Sequence, residues 1–562
     1  MKRSLPFSLF FALSAFISFE TNGQTITRGP YLQSPGPNSM VVRWRTDSLT
    51  DSRVYYGTTL GSMTLFADSA TPTTEHRVKI NGLSPRTKYF YSIGSSTQIQ
   101  RGSDPLMYFT TAPDPSIPTP VRLWAIGDWG HGNIDERDVR NSYLSYTANH
   151  PADLQLWLGD NVYQDGTDLE YSTKCFDTIN GYGNVFLNMP FAPSPGNHDW
   201  NSVCGWQAGC NTPPLQQTGP YLDMVDPPIE GEHGGVASHT KLYYSFDYGD
   251  IHFISLNSEL GATSSVNDWV GVQSYTNTTT FTSPMIDWLK ADLAATTKKW
   301  KIAFWHQCPY SGDGDFTELL SFQLFTFAAR AHFNPILEQN GVDLILTGHD
   351  HNYQRSYLAN GLYTFKSGFN SSMLVNGNRT GDGDAGQAYV KYTNGPLAGK
   401  GTVYVVEGNS SGSNASAPLN HPLIYWGEQC DSCIGSLIVD IDGDRLDGYY
   451  LNAYDSIRDH FTILKQQWTG IDYNKTTDDI FAVYPNPFTG QTEISYTLLK
   501  KSGVKVEVLD MSGKLVYSQT QTFREPGKYN DLLKLENLST GTYTIRFDCD
   551  GEIKYSKIVK SE

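Results

Sequence analysis

Short runs in which apolar and polar residues alternate mark the first part of the chain. Examples are Met40-Val-Val-Arg-Trp44, Val54-Tyr-Tyr56 and Lys88-Tyr-Phe-Tyr-Ser92, and turns rich in Gly, Pro, Ser and Asp separate them. A period of two is typical of strands that bury one face. The pattern predicts a small all-β sandwich over residues 25–112, inside a domain at 24–116.

The pattern changes after the stretch 111–119, which we interpret as a stiff linker because prolines stand at 113, 115, 118 and 120. Short apolar runs now end abruptly in polar turns that contain Gly. Ser283 and Pro284 between two such runs predict the start of a helix, with Ile286 and Leu289 on its buried face. Buried strands that alternate with helices predict a layered α/β domain at 117–466, with ligands on loops at the strand ends. The runs lie at 121–126, 154–158, 251–256, 302–305 and 342–346.

Strand-like alternation returns at the end of the chain, beyond a linker at 467–477. The runs 504–509 and Gly541-Thr-Tyr-Thr-Ile545 flank turns such as Asp510-Met-Ser-Gly513. We predict a second small β-sandwich at 478–562. It holds no cluster of catalytic residue types.

The first 23 residues have the features of a signal peptide. Lys2 and Arg3 precede an apolar stretch at 5–19, and Asn22-Gly23-Gln24 offers a small-residue cleavage site. A membrane anchor is the alternative, but the stretch is short for a span. We therefore expect an exported protein with no transmembrane segment in its mature form.

The net charge limits the possible binding partners, and the cysteine spacing predicts local disulfides. With 41 basic and 58 acidic residues the net charge is −17, which disfavours nucleic acids and anionic membranes. Among seven cysteines, Cys204 with Cys210 and Cys430 with Cys433 are natural local disulfides in an oxidising compartment. Cys430-x-x-Cys433 is also compatible with a zinc or redox site, although no second pair has suitable spacing.

Carboxylate, amide and imidazole side chains recur where the predicted buried strands end. One such motif alone carries little information, because a Gly-Asp pair is usually a turn. Together they predict one cavity whose oxygen and nitrogen ligands suit iron, zinc or manganese, in the two-metal arrangement used for attack on phosphorus. The motifs are Gly127-Asp-Trp-Gly130, Gly159-Asp-Asn-Val-Tyr163, Gly196-Asn-His-Asp199, His306 after the run 302–305, and Gly348-His-Asp-His351.

With these motifs, residues 25–465 resemble the calcineurin-like metallophosphoesterases and, within them, the purple acid phosphatases. The resemblance implies an αββα sandwich flanked by an N-terminal fibronectin type III-like sandwich, whose tyrosine corner matches Leu83-Ser-Pro-Arg-Thr-Lys-Tyr89. It also implies two metal ions. Iron(III) would bind Asp128, Asp160, Tyr163 and His351, and iron(II), zinc or manganese would bind Asp160, Asn197, His306 and His349.

The same resemblance implies a mechanism. A metal-bound hydroxide would attack a phosphate ester, and Tyr163 as a phenolate would favour ferric iron and produce a purple colour. His198 is expected to bind a phosphate oxygen or protonate the leaving group, with Asp199 as the carboxylate that orients it. His131 and Trp129 border the first motif and are candidates for lining the pocket. Plant relatives carry further histidines soon after the residue equivalent to His306, whereas this chain has none until His332.

The C-terminal unit resembles the type A sorting domain of the type IX secretion route. The matching segments are Tyr484-Pro-Asn-Pro-Phe488, Asp510-Met-Ser-Gly-Lys514, Leu538-Ser-Thr-Gly541-Thr-Tyr543 and Lys557-Ile-Val-Lys560. The resemblance implies contact with that secretion machinery and delivery outside the cell. The expected function is a secreted acid phosphatase for phosphate monoesters. The alternatives are a phosphodiesterase or nucleotidase on the same scaffold, and a surface adhesin without activity.

Overall fold

The computed structural model describes residues 24–200, 219–259, 283–312, 324–413, 420–428, 430, 433–468, 481–498, 501–550 and 552–561. They form two compact units, one up to Trp468 and one from Thr469 onward. The predicted signal peptide and the predicted Cys204–Cys210 disulfide lie outside the described residues. No helix in the described part of the chain is both long and apolar enough to cross a membrane.

The N-terminal domain is built of strands alone, as predicted. Strand β2 pairs with β1 through its first half and with β4 through its second half, and residues of both halves share one apolar core that contains Trp44 and Val54. The Tyr89 hydroxyl accepts a hydrogen bond from the backbone N–H of Ser84 at 3.1 Å, which confirms the tyrosine corner. The strands are β1 Ile26–Gln33, β2 Ser39–Gly57, β3 Leu65–Asn81, β4 Lys88–Gly94, β5 Ile99–Arg101 and β6 Tyr108–Thr110.

Two seven-stranded sheets form the central domain. One has the strand order β15-β20-β19-β18-β7-β8-β9, and the other has the order β10-β11-β12-β13-β16-β14-β17. Strands β7, β8 and β9 are parallel to one another, and so are β11, β12, β13 and β16. The bounds are β7 Val121–Ile126, β8 Leu154–Leu158, β9 Phe191–Ser194, β10 Tyr244–Tyr248, β11 Ile251–Ser255, β12 Trp300–Gln307, β13 Leu344–Gly348, β14 Tyr353–Ser356, β15 Tyr389–Tyr392, β16 Val403–Glu407, β17 Ile424–Gly427, β18 Gly435–Asp442, β19 Arg445–Asn452 and β20 Ile457–Gln466.

The inner strands of the two sheets, β7 and β12 among them, bury both of their faces. In β7, Leu123 belongs to the core shared by the two sheets, whereas Trp124 belongs to a second core with the helices. In β12, Phe304 and Trp305 divide in the same way. Successive side chains of a strand point to opposite faces, so a strand covered on both sides must be apolar throughout. This explains the continuous apolar runs of the sequence and confirms the αββα arrangement.

Helices cover the outer faces of the sheets. The predicted cap is confirmed, because the Ser283 hydroxyl accepts from the Ile286 N–H at 3.2 Å and Pro284 occupies the first turn. Ile286 and Leu289 are buried as expected. The helices are α1 Ile134–Tyr146, α2 Asp168–Glu170, α3 Pro220–Met224, α4 Pro284–Ala295, α5 Leu324–His332 and α6 Asn334–Gln339, and one π turn spans Tyr171–Cys175.

The C-terminal unit holds a three-stranded and a four-stranded sheet around its own core, which includes Ile494, Val506 and Ile545. The C-terminal strands are β21 Phe481–Tyr484, β22 Gln491–Leu498, β23 Ser502–Leu509, β24 Leu515–Arg524, β25 Gly527–Lys534, β26 Gly541–Cys549 and β27 Glu552–Lys560.

One predicted disulfide lies in the first unit. Cys430 and Cys433 are bonded with their Cα atoms 5.2 Å apart, so the disulfide prediction for this pair is confirmed.

Candidate metal centre

The predicted ligands lie together at the ends of parallel strands of the central domain. Asp128, Asp160 and His349 each follow a strand by one or two residues, and their φ angles are 53°, 46° and 71°. A positive φ is uncommon outside glycine, and such backbone strain concentrates at functional sites. The chain therefore turns in the same way after β7, β8 and β13.

Glycine precedes these ligands because the loops approach each other closely. A Cβ atom at Gly159, where φ is +91°, would lie 2.5 Å from the Cβ of His306. A Cβ atom at Gly348 would lie 2.3 Å from Oδ2 of Asp128. Only a residue without a side chain fits at either position.

The first ligand group joins Asp128, Tyr163 and His351. The Tyr163 hydroxyl lies 3.0 Å from Oδ1 of Asp128 and 3.1 Å from Nε2 of His351. His351 Nε2 is 3.3 Å from the same Asp128 oxygen. The other oxygen of Asp128 accepts the backbone N–H of His349 at 2.7 Å, which fixes the carboxylate so that Oδ1 faces the group.

The second ligand group gathers around Nε2 of His306. Nδ1 of His349 lies 3.1 Å away, Oδ1 of Asn197 lies 3.2 Å away, and Oδ2 of Asp160 lies 3.4 Å away. Asp160 is held like Asp128, because its other oxygen accepts the His198 backbone N–H at 2.7 Å. Each group thus presents one carboxylate oxygen that no backbone N–H occupies.

Asp160 connects the two groups. Ligand atoms of Asp128, Asp160 and His306 all lie within 4.8 Å of one another, and all three residues are buried. The structure therefore brings the seven predicted ligands together. His306, however, lies within β12 and not after it, because Gln307 still pairs with Gly348 of β13.

The donor set fits metal cations. Nδ1 of His306 lies 3.1 Å from the Leu158 carbonyl and donates to it, so Nε2 is the nitrogen that faces the oxygens of Asn197 and Asp160. Acceptor oxygens that converge in a buried site call for a positive charge, which a proton on Nε2 or a metal ion in its place supplies. Burial alone would lower the pKa of His306, but the charges of Asp160 and Asp128 outweigh it and raise this pKa to about 10.

Tyr163 lies beside the same two negative charges. Its ring is buried, and this burial together with the charges of Asp128 and Asp160 raises the pKa of the phenol well above its ordinary value. A phenolate at this position therefore needs a strongly charged metal ion as its partner.

His198 faces the same centre from the loop after β9. Its Nε2 is 3.8 Å from Oδ2 of Asp160, and its ring centroid is 4.4 Å from that of Tyr163. Its Nδ1 lies 2.7 Å from the backbone carbonyl of Gln164 and donates to it. The imidazole is thereby oriented with Nε2 toward Asp160.

The expectation that Asp199 orients His198 is wrong. The Asp199 carboxylate accepts from the Gly196 N–H at 2.7 Å, from the Asn161 amide at 2.9 Å and from the Tyr171 hydroxyl. Burial and the charge of Asp160 raise its pKa to about 7. Asp199 thus joins the second and third motifs, and the imidazole of His198 is held by the Gln164 carbonyl instead.

Of the two residues predicted to line the pocket, one lies beside it and the other does not. The His131 ring stacks on Tyr163 with centroids 4.0 Å apart, as expected for a residue beside the pocket. Trp129 is fully buried against Trp157 in the core, so the prediction that it lines the pocket is wrong.

Sequence reasoning missed Ser411. Its hydroxyl donates to the Asp128 carbonyl at 2.7 Å and lies 2.7 Å from Nδ1 of His131. The available signal was the run 403–407 followed by Gly408, which repeats the strand-then-glycine pattern of the other motifs.

Known families match most of the chain. Residues 121–353 match the calcineurin-like phosphoesterase family, residues 28–111 match the purple acid phosphatase N-terminal domain, and residues 482–561 match the secretion system C-terminal sorting domain.

Individual relatives agree with these matches. Acid phosphatase type 7 of Danio rerio is 26% identical over 58% of this chain and 70% of its own length. Purple acid phosphatase 15 of Arabidopsis thaliana is 25% identical over 50% of this chain, and the match spans only 49% of the plant protein.

Solved structures share the fold. The purple acid phosphatase from yellow lupin (Lupinus luteus) seeds has a TM-score of 0.55 at 17% identity, and the match covers 78% of this chain and 75% of that one. The structure of PhoD has a TM-score of 0.56 at 13% identity, with 78% and 90% of the two chains covered. The chain thus combines segments that match the purple acid phosphatase N-terminal domain, the calcineurin-like phosphoesterase family and the secretion system C-terminal sorting domain, and these matches support a phosphoric ester hydrolase.

Proposed function

We propose that the protein is an acid phosphatase that hydrolyses phosphate monoesters with two metal ions, iron(III) and one of iron(II), zinc(II) or manganese(II). One observation carries the proposal: two ligand groups meet at Asp160, whose free oxygen lies between them. Tyr163 in the first group supports ferric iron, because a phenolate is a hard, anionic ligand for a highly charged ion. The second group, which has two imidazoles and an amide, suits a divalent ion.

The chemistry divides between the metal ions and the side chains. When bound, two metal ions would acidify water and offset the charge that develops on the phosphate oxygens. The carboxylates of Asp128 and Asp160 hold their free oxygens toward the centre through the backbone bonds described above. His198 directs Nε2 toward the same space, where it can bind a phosphate oxygen or pass a proton to the leaving alcohol.

The proposal is tested by metal analysis and a visible spectrum of the purified protein, followed by a panel of esters. We expect two metal ions per chain, one of them iron, and a visible absorption band. Below pH 7, p-nitrophenyl phosphate should have a kcat/KM at least about tenfold above that of bis(p-nitrophenyl) phosphate. A preference for the diester or for nucleotides would instead establish the phosphodiesterase or nucleotidase alternative. A protein without metal and without turnover would refute the proposal.

The C-terminal sorting domain implies delivery to the exterior or the cell surface by the type IX route. All seven proposed ligands lie in the first compact unit, and the sorting domain forms the second. The signal peptide at 1–23 and the cleavage of the sorting domain belong to the proposal.

Deletion of residues 478–562 should separate delivery from activity. The purified truncated protein should keep its kcat/KM within about twofold, because no ligand is removed, yet it should stay inside the cell. Measurements of activity in the culture medium and in lysates would check both halves. The Asp160→Asn variant of the full chain is the matched control, since it should be exported but inactive. A purified truncated protein without activity would contradict the assignment of this unit to sorting alone.

A further inference from the structure

The loop 163–170 connects His198, the candidate catalytic histidine, to helix α2. It begins at the proposed ligand Tyr163 and ends in the short helix α2. The carbonyl of Gln164 in this loop holds Nδ1 of His198 at 2.7 Å. The position of the imidazole therefore depends on the position of this carbonyl.

Glu170 holds the loop in place. Its carboxylate accepts the backbone N–H of Gln164 at 2.7 Å and that of Thr167 at 3.1 Å. The Thr167 hydroxyl accepts the N–H of Glu170 in return at 3.2 Å, which completes a capping box. Gln164 is thus fixed to the helix, and a movement of α2 would move the carbonyl that holds His198.

The N-terminal domain binds helix α2 at Asp168. Arg28 of β1 donates to Oδ1 of Asp168 at 2.7 Å, and Arg45 of β2 donates to Oδ2. Arg45 also donates to Ser172 in the π turn at 2.9 Å. Arg28 is anchored in turn by Glu75 of β3 at 2.8 Å.

Burial of Arg28 makes these ion pairs costly to break. The Arg28 side chain is 1% exposed, whereas that of Asp168 is 48% exposed. Without its two carboxylates the buried guanidinium of Arg28 would be left as an uncompensated charge, which disfavours any arrangement that breaks these contacts. Because Arg28 and Arg45 each bind one oxygen of Asp168, the first residue of α2 is tied to strands β1 and β2.

We propose that the N-terminal β domain positions His198 for catalysis through Arg28, Arg45 and Asp168. This inference rests on the proposed function, since it concerns how His198 meets the substrate. It assigns a role to a domain that holds none of the ligands. The three residues are positioning residues, because they act through the loop 163–170 and the Gln164 carbonyl.

The test uses the full chain with Asp168→Asn, which removes the charge and keeps the shape. With p-nitrophenyl phosphate we expect kcat to fall about tenfold, in line with the cost of a small misplacement of a catalytic group. Arg77→Ala is the matched control, because Arg77 pairs with Asp226 across the same two domains at 2.8 Å without contacting the loop. This control should stay within twofold, and equal losses in both variants would overturn the inference.

A double-mutant cycle identifies His198 as the group affected. In a His198→Ala background, Asp168→Asn should lower kcat less than twofold further, since the imidazole it positions is gone. A second full tenfold loss would overturn the assignment. Arg45→Gln serves as the second variant and should behave like Asp168→Asn. A changed visible band in either variant would place the effect on Tyr163 and would also overturn it.

Amide hydrogen exchange tests the mechanical link without any turnover. The Gln164 and Thr167 amides should exchange faster in Asp168→Asn than in Arg77→Ala, with the two melting temperatures similar. Equal exchange would refute the inference even if activity differed. A wild-type protein that turns over no ester would refute the proposed function, whereas the exchange experiment would still decide whether the N-terminal domain holds the loop.

Discussion

Asp160→Asn should abolish turnover and empty both halves of the metal centre. The backbone N–H of His198 occupies Oδ1 of Asp160 at 2.7 Å, so an asparagine will keep its oxygen there. Its NH2 group then takes the place of Oδ2 and faces Nε2 of His306, 3.4 Å away. A donor replaces the negative charge at the point where the two ligand groups meet.

We expect kcat to fall by about 1,000-fold or more, beyond the 10–100-fold cost of losing an outer partner of a ligand. Metal content and kcat measured on the same sample would check this. Asp440→Asn is the control, because this carboxylate pairs with Arg122 at 2.6 Å on a sheet strand and touches no ligand. It should keep two metal ions and its activity within twofold. Full activity in Asp160→Asn, or the loss of only one metal ion, would exclude the bridging role.

Tyr163→Phe should remove the visible absorption band and leave the fold intact. The substitution deletes one oxygen, the one that lies 3.0 Å from Asp128 and 3.1 Å from His351. The ring keeps its contacts with His131 at 4.0 Å and with His198 at 4.4 Å, so packing gives no reason to unfold. Without a phenolate, no charge-transfer transition from the ring to iron can occur.

Absorption spectra before and after iron loading would check this result, together with a melting curve. Tyr244→Phe is the matched control, because Tyr244 is equally buried and its hydroxyl donates to the Pro193 carbonyl at 2.7 Å, away from the ligands. The control should keep the band. An unchanged spectrum in Tyr163→Phe would rule out phenolate ligation and leave a generic two-metal centre.

Local pattern sufficed for much of the fold. Leu123 and Trp124 are adjacent and both buried, and a short apolar run between turn residues is typical of a strand covered on two faces. Ser283 and Pro284 predicted a helix start through a hydroxyl cap and a missing N–H, both of which act within four residues. These inferences succeeded because their causes lie inside the segment itself.

The sequence-based predictions that failed were those that depend on contacts between distant segments. Asp199 follows His198 directly, yet its carboxylate binds Asn161, and the Gln164 carbonyl takes the imidazole. Trp129 borders the first motif but belongs to the core. In each case the deciding partner comes from another loop, and adjacency in sequence does not indicate which way a side chain points.

The sequence by itself determined the chemistry of the centre: which oxygen and nitrogen ligands are present, and that most of them lie in short motifs with a glycine where an apolar run ends. Residue types and short spacings suffice for this, because ligand chemistry and strand periodicity are local properties. The tertiary structure alone decided what orients His198, where Asp199 and Trp129 point, and that Arg28 and Arg45 reach Asp168 from another domain. Those features depend on which loops meet at one sheet edge, and only the packing of the whole domain sets that.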